Sequence, residues 1–387
     1  MNSKILYSEI PTVTSPASML ESLPQRSLLT RLAVSWSRAI RWEFWPAWLF
    51  YIPVALYIVV RGLRSARFLS FTASNPSIDA GGFVGERKDQ SLLVLAQHAP
   101  DLTPSVSMIA RSLPEPERLV LLNQSIEHLG FPLVIKPNVG QRGRGVTVIR
   151  DSEQAHAMIE MAPEDVLVQG YAVGDEFGVF AYRYPGQREV TIYSITHKCF
   201  PEVTGDGVNT LATLIMANAR ARLISGLLWQ RLGARLQDVP AVGEQVALVE
   251  IGAHCRGSLF LDASELASPA LVAAITRLFD AVPGYCFGRI DLRCPSRAAL
   301  TRGEGIQALE LNGVTAEAAH IYHPGSPLLA GWHSMIRQWR IAFEIGEANL
   351  KRGATPTSVA ELRALISQNS HSEQAWADFQ EKFHTQF

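Results

Sequence analysis

An α+β fold is predicted by three features of the sequence. From Val166 the chain runs through consecutive strand-like segments, "VLVQGYAV", "EFGVFAYRY" and "EVTIYSITHK", rich in aromatic and β-branched residues and joined by short turns. Before them stands a hairpin pattern over residues 132–150, with a helical pattern on each side. After them come two more strands, "CFGRIDLRC" and "IQALELNG", preceded by a helix expected from Pro269 to Phe279.

Four regions follow from these signals. Residues 1–75 read as an extension, polar at first and then aromatic, closing at "FTASNPSIDAGG" with turn chemistry from Asn75, Pro76, Gly81 and Gly82. Residues 76–125 form a small region in which Leu92, Leu93 and Leu95 mark a helix stopped before Pro100, with a short strand after Pro104. Residues 126–332 hold the hairpin, a helix capped by Asp151 or Ser152, the strand run, a helix expected over 211–232 and the two later strands. Residues 333–387 read as surface helices, since "WHSMIRQWRIAFEIGEANL" has apolar residues at i, i+3, i+4 spacing.

The chain has 387 residues, 47% of them hydrophobic, and a formal net charge of −1. That length builds substantial cores, and the charge leaves no electrostatic footprint for nucleic acid. Cys199, Cys255, Cys286 and Cys294 contain no C-x-x-C pair, which argues against a zinc site and a secreted disulfide framework and points to a reducing, cytoplasmic setting. The exception to a soluble pattern is "FWPAWLFYIPVALYIVV", residues 44–60, uncharged, with tryptophans at one end and Arg61, Arg64 and Arg67 at the other. It is short of the roughly 20 apolar residues of a spanning helix, and Pro46 and Pro53 are expected to break or kink it. Three placements fit: packed on the protein itself or a partner, lying in a membrane surface, or spanning.

The stretch "FPLVIKPNVGQRGRGVTVI" places Lys136 at the end of an apolar run, ahead of Gly140, Gly143 and Gly145. A P-loop needs its lysine after the glycines, and a dinucleotide fingerprint needs G-x-G-x-x-G opening a helix; here the order is G-x-x-G-x-G and the residues "VTVI" follow. What remains is a hairpin whose tip can cover polyphosphate with backbone N–H groups while Lys136 points at the same charges. Two later strands end in carboxylates, Asp291 in "GRIDLR" and Glu310 with Asn312 in "ALELNG". Glu310 and Asn312 are two apart and share a face. Together the three would make an oxygen-rich site of the kind Mg²⁺ uses with phosphates. Gln169 and Glu176 flank a turn through Gly174, suited to a base edge and to ribose hydroxyls.

In this order and spacing, the motifs resemble the ATP-grasp superfamily, and within it the carboxylate-amine ligases such as D-alanine-D-alanine ligase, over roughly residues 85 to 330. The resemblance implies two α+β subdomains gripping ATP. It further implies that Lys136 grips the α and β phosphates with Lys88 upstream, that Gly140, Gly143 and Gly145 form a lid, that Gln169 stands at the adenine hinge and that Glu176 binds the ribose. Asp291, Glu310 and Asn312 match the Mg²⁺ (or Mn²⁺) ligands, and Arg289 matches the arginine that stabilises the tetrahedral intermediate. "TGDGVNTL", residues 204–211, resembles a loop of the ligases related to cyanophycin synthetase that borders the acceptor site; read alone it is a glycine turn with Asn209 or Thr210 capping a helix. The sequence departs from D-alanine-D-alanine ligase before Lys88, where no full substrate domain is seen, and after Asn312, where "GVTAEAAHIYHP" stands.

The function so implied is ATP-dependent joining of a small-molecule carboxylate and an amine through an acyl phosphate, with ADP and phosphate released. The alternatives are a phosphotransferase on the same fold and a non-catalytic ATP-binding module. Arg183, Lys198, His254 and Arg256 are further candidates for phosphate or substrate carboxylate, and Glu317, His320 and His323 either contact an acceptor or pack.

Overall fold

The computed structural model describes residue 36 and residues 41–65, 67–140, 143–219, 221–249 and 258–386. His254, Arg256 and two positions of the glycine loop, 141 and 142, lie outside the described residues. Two compact units are present, one made of Met1–Arg41 and Phe200–Glu250, the other of Trp42–Cys199 and Ile251–Phe387.

The larger unit opens with helix α1 (Ala47–Arg64). A π-type segment, Asp89–Leu93, runs into helix α2 (Val94–His98), and strand β1 (Val106–Ile109) and helix α3 (Glu115–Leu129) follow. Strands β2 (Leu133–Pro137) and β3 (Thr147–Ile149) carry the glycine loop between them. Helix α4 (Ser152–Met161) begins where the Asp151 carboxylate accepts from the Gln154 N–H, then strands β4 (Val166–Gly170), β5 (Asp175–Tyr182) and β6 (Thr191–Cys199) succeed one another. The smaller unit holds β7 (Glu202–Thr204), α5 (Leu211–Ala217), α6 (Ser225–Leu232) and β8 (Gln245–Ala247), around a core of Val203, Leu211, Ile215, Leu228 and Leu236. The chain re-enters the larger unit with β9 (Leu259–Asp262), α7 (Pro269–Ala281), β10 (Phe287–Cys294), α8 (Arg297–Arg302) and β11 (Gln307–Asn312), then ends in α9 (Leu328–Leu350) and α10 (Val359–Gln386).

The expected α+β character is what the larger unit displays. Its sheets are a four-stranded one in the order β1-β4-β2-β3 and a five-stranded one in the order β11-β10-β5-β6-β9, with neighbouring strands antiparallel throughout. On the second sheet the two-residue period divides the side chains cleanly. Phe177, Val179, Ala181, Ile195, Ile290 and Leu292 enter one buried cluster with Leu271, Ile275 and Leu278 of α7. The alternate residues carry the charges described below.

Three expectations are corrected. The helix expected over 211–232 is two: α5 stops at Ala217, Asn218 is extended, and its side-chain oxygen accepts from the Ala221 N–H. The break expected at Pro53 is absent. Pro46 stands at the N-cap, and α1 runs through Pro53 because Phe50 and Val54 are packed in the cluster that α9 provides. The helices from 333 onward are not surface helices. α9 begins at Leu328 and buries Met335, Trp339, Ala342, Phe343 and Ile345 between α1 and the short helical turn Ser70–Ser74. α10 sends Trp376, Phe379 and Phe383 into the core beside the first sheet.

Candidate active site

In an antiparallel ladder, directly opposed residues project to the same face. Glu176 on β5 faces Lys198 on β6 and Arg293 on β10; Asp291 on β10 faces Gly178 on β5 and Glu310 on β11; Arg289 faces Asn312. One face of the sheet thus carries Lys198, Glu176, Arg293, Asp291, Glu310, Arg289 and Asn312 as a continuous charged surface. The Lys198 ammonium lies 3.1 Å from Glu176 and 3.0 Å from Asp291. The Arg289 guanidinium grips both Asp291 oxygens, at 2.8 and 3.0 Å, and donates to the Glu317 carbonyl at 3.1 Å. Arg293 donates to Glu176 at 3.2 Å and to the Ala172 carbonyl at 2.8 Å. Gly178 is where this crowding needs a bare backbone: a Cβ there would sit 3.0 Å from the Arg289 Cδ and 3.2 Å from Asp291 Oδ1.

Two further lysines reach this surface, Lys136 from the first sheet and Lys88 from just before the segment Asp89–Leu93. Lys136 on β2 donates to Gln169 Oε1 on β4 at 2.7 Å and to the Leu309 carbonyl on β11 at 2.9 Å. That carbonyl is available because Leu309 is the extra residue of a β-bulge, the ladder passing from Asp291 opposite Glu310 to Leu292 opposite Ala308. Lys88 donates to the Gly140 carbonyl at the start of the glycine loop, 2.8 Å, and pairs with Glu310 at 3.2 Å. Gly145, at φ +69°, closes the loop against Pro137 and Trp376, whose atoms lie 2.5 and 2.6 Å from where a Cβ would stand. Arg144 pairs with Glu373 of α10 at 3.2 Å.

Burial governs the electrostatics here. It pushes the Lys136 ammonium down to about 7, only partly countered by Glu310. Burial also pushes the Glu86 carboxyl up to about 7, against the Gly313 N–H that donates to it at 2.6 Å. For Asp291, burial is outweighed by Arg289 and Lys198, which hold it at about 2. Among the described residues, Gln169 Nε2, Thr196 Oγ1 and Ser194 Oγ are buried polar atoms without a partner. Thr196 stands opposite Gly178, and Ser194 opposite Phe180, on the charged face.

The residues singled out from the sequence converge in part. Lys88, Lys136, Gly140, Gln169, Glu176, Arg289, Asp291, Glu310 and Asn312 meet around the two sheets, and Lys198, left open by sequence, joins them. Arg183 does not; it pairs with Asp280 at 2.6 Å beside the Phe279 ring. The Glu317 carboxylate accepts from Tyr51 of α1 and, at 2.9 Å, from Tyr322, while its backbone carbonyl touches Arg289. His323 Nδ1 accepts from the Asp262 N–H at 3.1 Å, and His320 packs edge-on against Tyr193. In the smaller unit Thr210 caps α5 by accepting from the Thr213 N–H, and Asp206 accepts from the N–H groups of Val208 and Asn209. Sequence reasoning missed Arg293 and Glu86. For Arg293 the alternation Arg289, Asp291, Arg293 on one strand was a legible signal; Glu86 has no local pattern around it.

The donor set fits a divalent cation held with phosphate. Asp291 and Glu310 are ladder partners, the Asn312 amide nitrogen donates to Asp291 at 3.4 Å, and the three side chains offer hard oxygen donors, those of Asp291 also held by Arg289 and Lys198. The lysines opposite, and the unpartnered Gln169 Nε2, fit a polyphosphate with a polar base.

A family model described as the RimK-like ATP-grasp domain matches residues 85–176. The chain is 31% identical over 118 residues to cyanophycin synthetase of Trichormus variabilis, 28% of this chain and 12% of that protein, and 33% identical over 92 residues to cyanophycin synthetase of Synechocystis sp., 22% and 10% respectively. The match therefore spans about an eighth of the length of the first relative or less. Among solved structures it is similar to the D-alanine-D-alanine ligase of Bacillus anthracis, with 16% identity, 69% of each chain covered and a TM-score of 0.38. The stretch that matches the RimK-like ATP-grasp model, residues 85–176, contains Lys88, Lys136, the glycine loop, Gln169 and Glu176.

Proposed function

We propose that this chain is an ATP-dependent carboxylate-amine ligase that forms an amide bond through an acyl phosphate and releases ADP and phosphate. The observation that carries the reading is the single charged sheet face, on which Asp291 and Glu310 oppose each other beside Arg289 and Lys198 while Lys136 approaches from the other sheet and Lys88 from just before the segment Asp89–Leu93. In this reading Lys136 and Lys88 hold the polyphosphate, Gly140, Gly143 and Gly145 cover it, Gln169 meets the base and Glu176 the ribose. Asp291, Glu310 and Asn312 hold Mg²⁺ or Mn²⁺, which when bound supplies charge neutralisation at the β and γ phosphates.

The chain's own part is alignment and electrostatics. The substrate carboxylate oxygen attacks the γ-phosphorus as the bond to the β-γ bridging oxygen breaks, and ADP leaves. The amine then attacks the acyl carbonyl, Arg289 faces the oxyanion that develops, the bond from the carbonyl carbon to the phosphate oxygen breaks, and the departing phosphate takes the proton that the amine loses. In this reading Lys198, which pairs with Glu176 and Asp291, turns to phosphate oxygens in both steps, and the glycine loop excludes water from the acyl phosphate. Incubating the protein with ATP, Mg²⁺ and pools of amino acids and small carboxylic acids tests the reading. New masses equal to acid plus amine minus water, with equimolar ADP, are expected; a stable phosphorylated product with no amine incorporated would replace the ligase with a kinase.

A further inference from the structure

Helix α1 is apolar on both sides, but the protein covers only one of them. The covered side holds Phe50 and Val54, both at or below 3% exposure, and is tied down by polar contacts. The Phe50 carbonyl accepts from Trp332 Nε1, Tyr51 donates to Glu317, and Arg61 pairs with Glu347 at 2.8 Å. The other side is a stripe at successive helical turns: Trp48 at 69% exposure, Ile52 at 53%, Leu56 at 63%, Val59 at 44% and Leu63 at 74%.

We infer that this stripe is a docking surface for an anionic lipid bilayer, with α1 lying in the plane of the headgroups. The stripe extends about 23 Å along the helix axis, enough to seat a helix flat at the headgroup boundary. Charge complementarity selects the anionic surface. Between Glu43 and Asp79 the sequence contains no acidic residue, and the exposed Arg64 and Arg67 stand at the end of the stripe. Trp48 and Leu63 mark its two ends, and Trp48 is of the side-chain type that settles at headgroup level. Spanning is disfavoured by the same contacts that hold the helix: it would pull Phe50 and Val54 out of the cluster with Met335, Trp339 and Phe343. A second copy is a poorer occupant, because a handful of side chains on one helix falls well short of the roughly 20 to 30 residues a side of a stable interface.

The test is sedimentation of the full chain with vesicles of phosphatidylglycerol mixed with phosphatidylcholine and with vesicles of phosphatidylcholine alone. The variants are Leu56→Glu with Leu63→Glu, and Arg64→Glu with Arg67→Glu, each checked for an unchanged melting temperature. The proposal expects binding to the anionic vesicles, weaker binding to the neutral ones, and a loss of about tenfold or more in each double variant. Three results would overturn it: no vesicle binding by the parent chain, binding that both variants retain, or a parent dimer in solution that the leucine variant turns into a monomer.

Discussion

Asp291 and Glu310 oppose each other across the β10–β11 ladder, and each is met by a lysine from elsewhere in the chain, Lys198 at 3.0 Å and Lys88 at 3.2 Å. Lys88, Lys198 and Arg289 thus pair with the carboxylates of the site. Replacing both acids, Asp291→Asn with Glu310→Gln, is expected to reduce ATP turnover roughly 100-fold or more while the chain remains folded. Steady-state ADP release with a parallel thermal melt checks this, and a turnover number close to that of the parent would remove these residues from the chemistry.

Lys136 bridges the two sheets, so Lys136→Ala should weaken ATP binding by about 1.5–3 kcal/mol, the range for a hydrogen bond to a charged group. Calorimetric titration with a non-hydrolysable ATP analogue measures it. An unchanged affinity would mean that the nucleotide does not touch this lysine.

The same lysine gives the binding reaction a proton signature. Burial holds Lys136 at about 7, so at about pH 8 it is largely neutral before nucleotide arrives. A polyphosphate beside it favours the charged form, and binding should then take a proton from the buffer. Calorimetry in two buffers of different ionisation enthalpy should give apparent binding enthalpies that differ in the sense of proton uptake, and Lys136→Met should abolish the difference. Equal enthalpies for the parent would contradict this expectation.

Glu86 makes the opposite kind of prediction, for stability. Burial raises its carboxyl from 4.5 to about 7, so the folded state binds the extra proton between those values. Its contribution is fully present below the unfolded value and is lost as pH rises through 7, by on the order of 3 kcal/mol. Glu86→Gln keeps an acceptor for the Gly313 N–H and removes the charge. The variant should therefore match the parent below about pH 4.5, gain on it progressively as pH rises to about 7 and keep the full gain above that; a gap independent of pH would show that ionisation of Glu86 is not its source.

Trp376 lies under Gly145, packs edge-on against Phe379 with ring centroids 5.1 Å apart, and donates to Glu164 at 3.2 Å. Trp376→Ala should cost about 3 to 5 kcal/mol and expose the glycine loop to proteolysis before the rest of the chain. A melt together with limited trypsin digestion reads both effects, and a loop as resistant as the parent's would detach α10 from it.

These residues also show where the sequence was legible. Glu310 and Asn312 could be placed on one face because a two-residue spacing suffices for that, and Lys136 with its glycines because a hairpin is local. That Asp291 and Glu310 share a site was expected from the strand pattern; that they stand directly opposite each other depends on the bulge at Leu309, which nothing in "QALELN" announces. Trp376, Phe379 and Phe383 have helical spacing, but in a helix otherwise mostly polar; only the first sheet's open side makes them core. The helix Glu115–Leu129 is hard to read although Pro114 precedes it and Leu122 and Ile126 recur on one side, because Glu, Asn, Gln, Ser and His side chains interleave with its apolar ones and blur the period.

The central claim is that ATP is split between its β and γ phosphates by the substrate carboxylate. Once the mass screen has supplied an acid and an amine, the acid is labelled with oxygen-18 in its carboxylate and turned over with ATP, and the phosphorus products are resolved by NMR and mass spectrometry. Transfer of one label into inorganic phosphate, with ADP as the nucleotide product, is the predicted result. Label in AMP, with pyrophosphate released, would contradict it and move the chemistry to the α-phosphate.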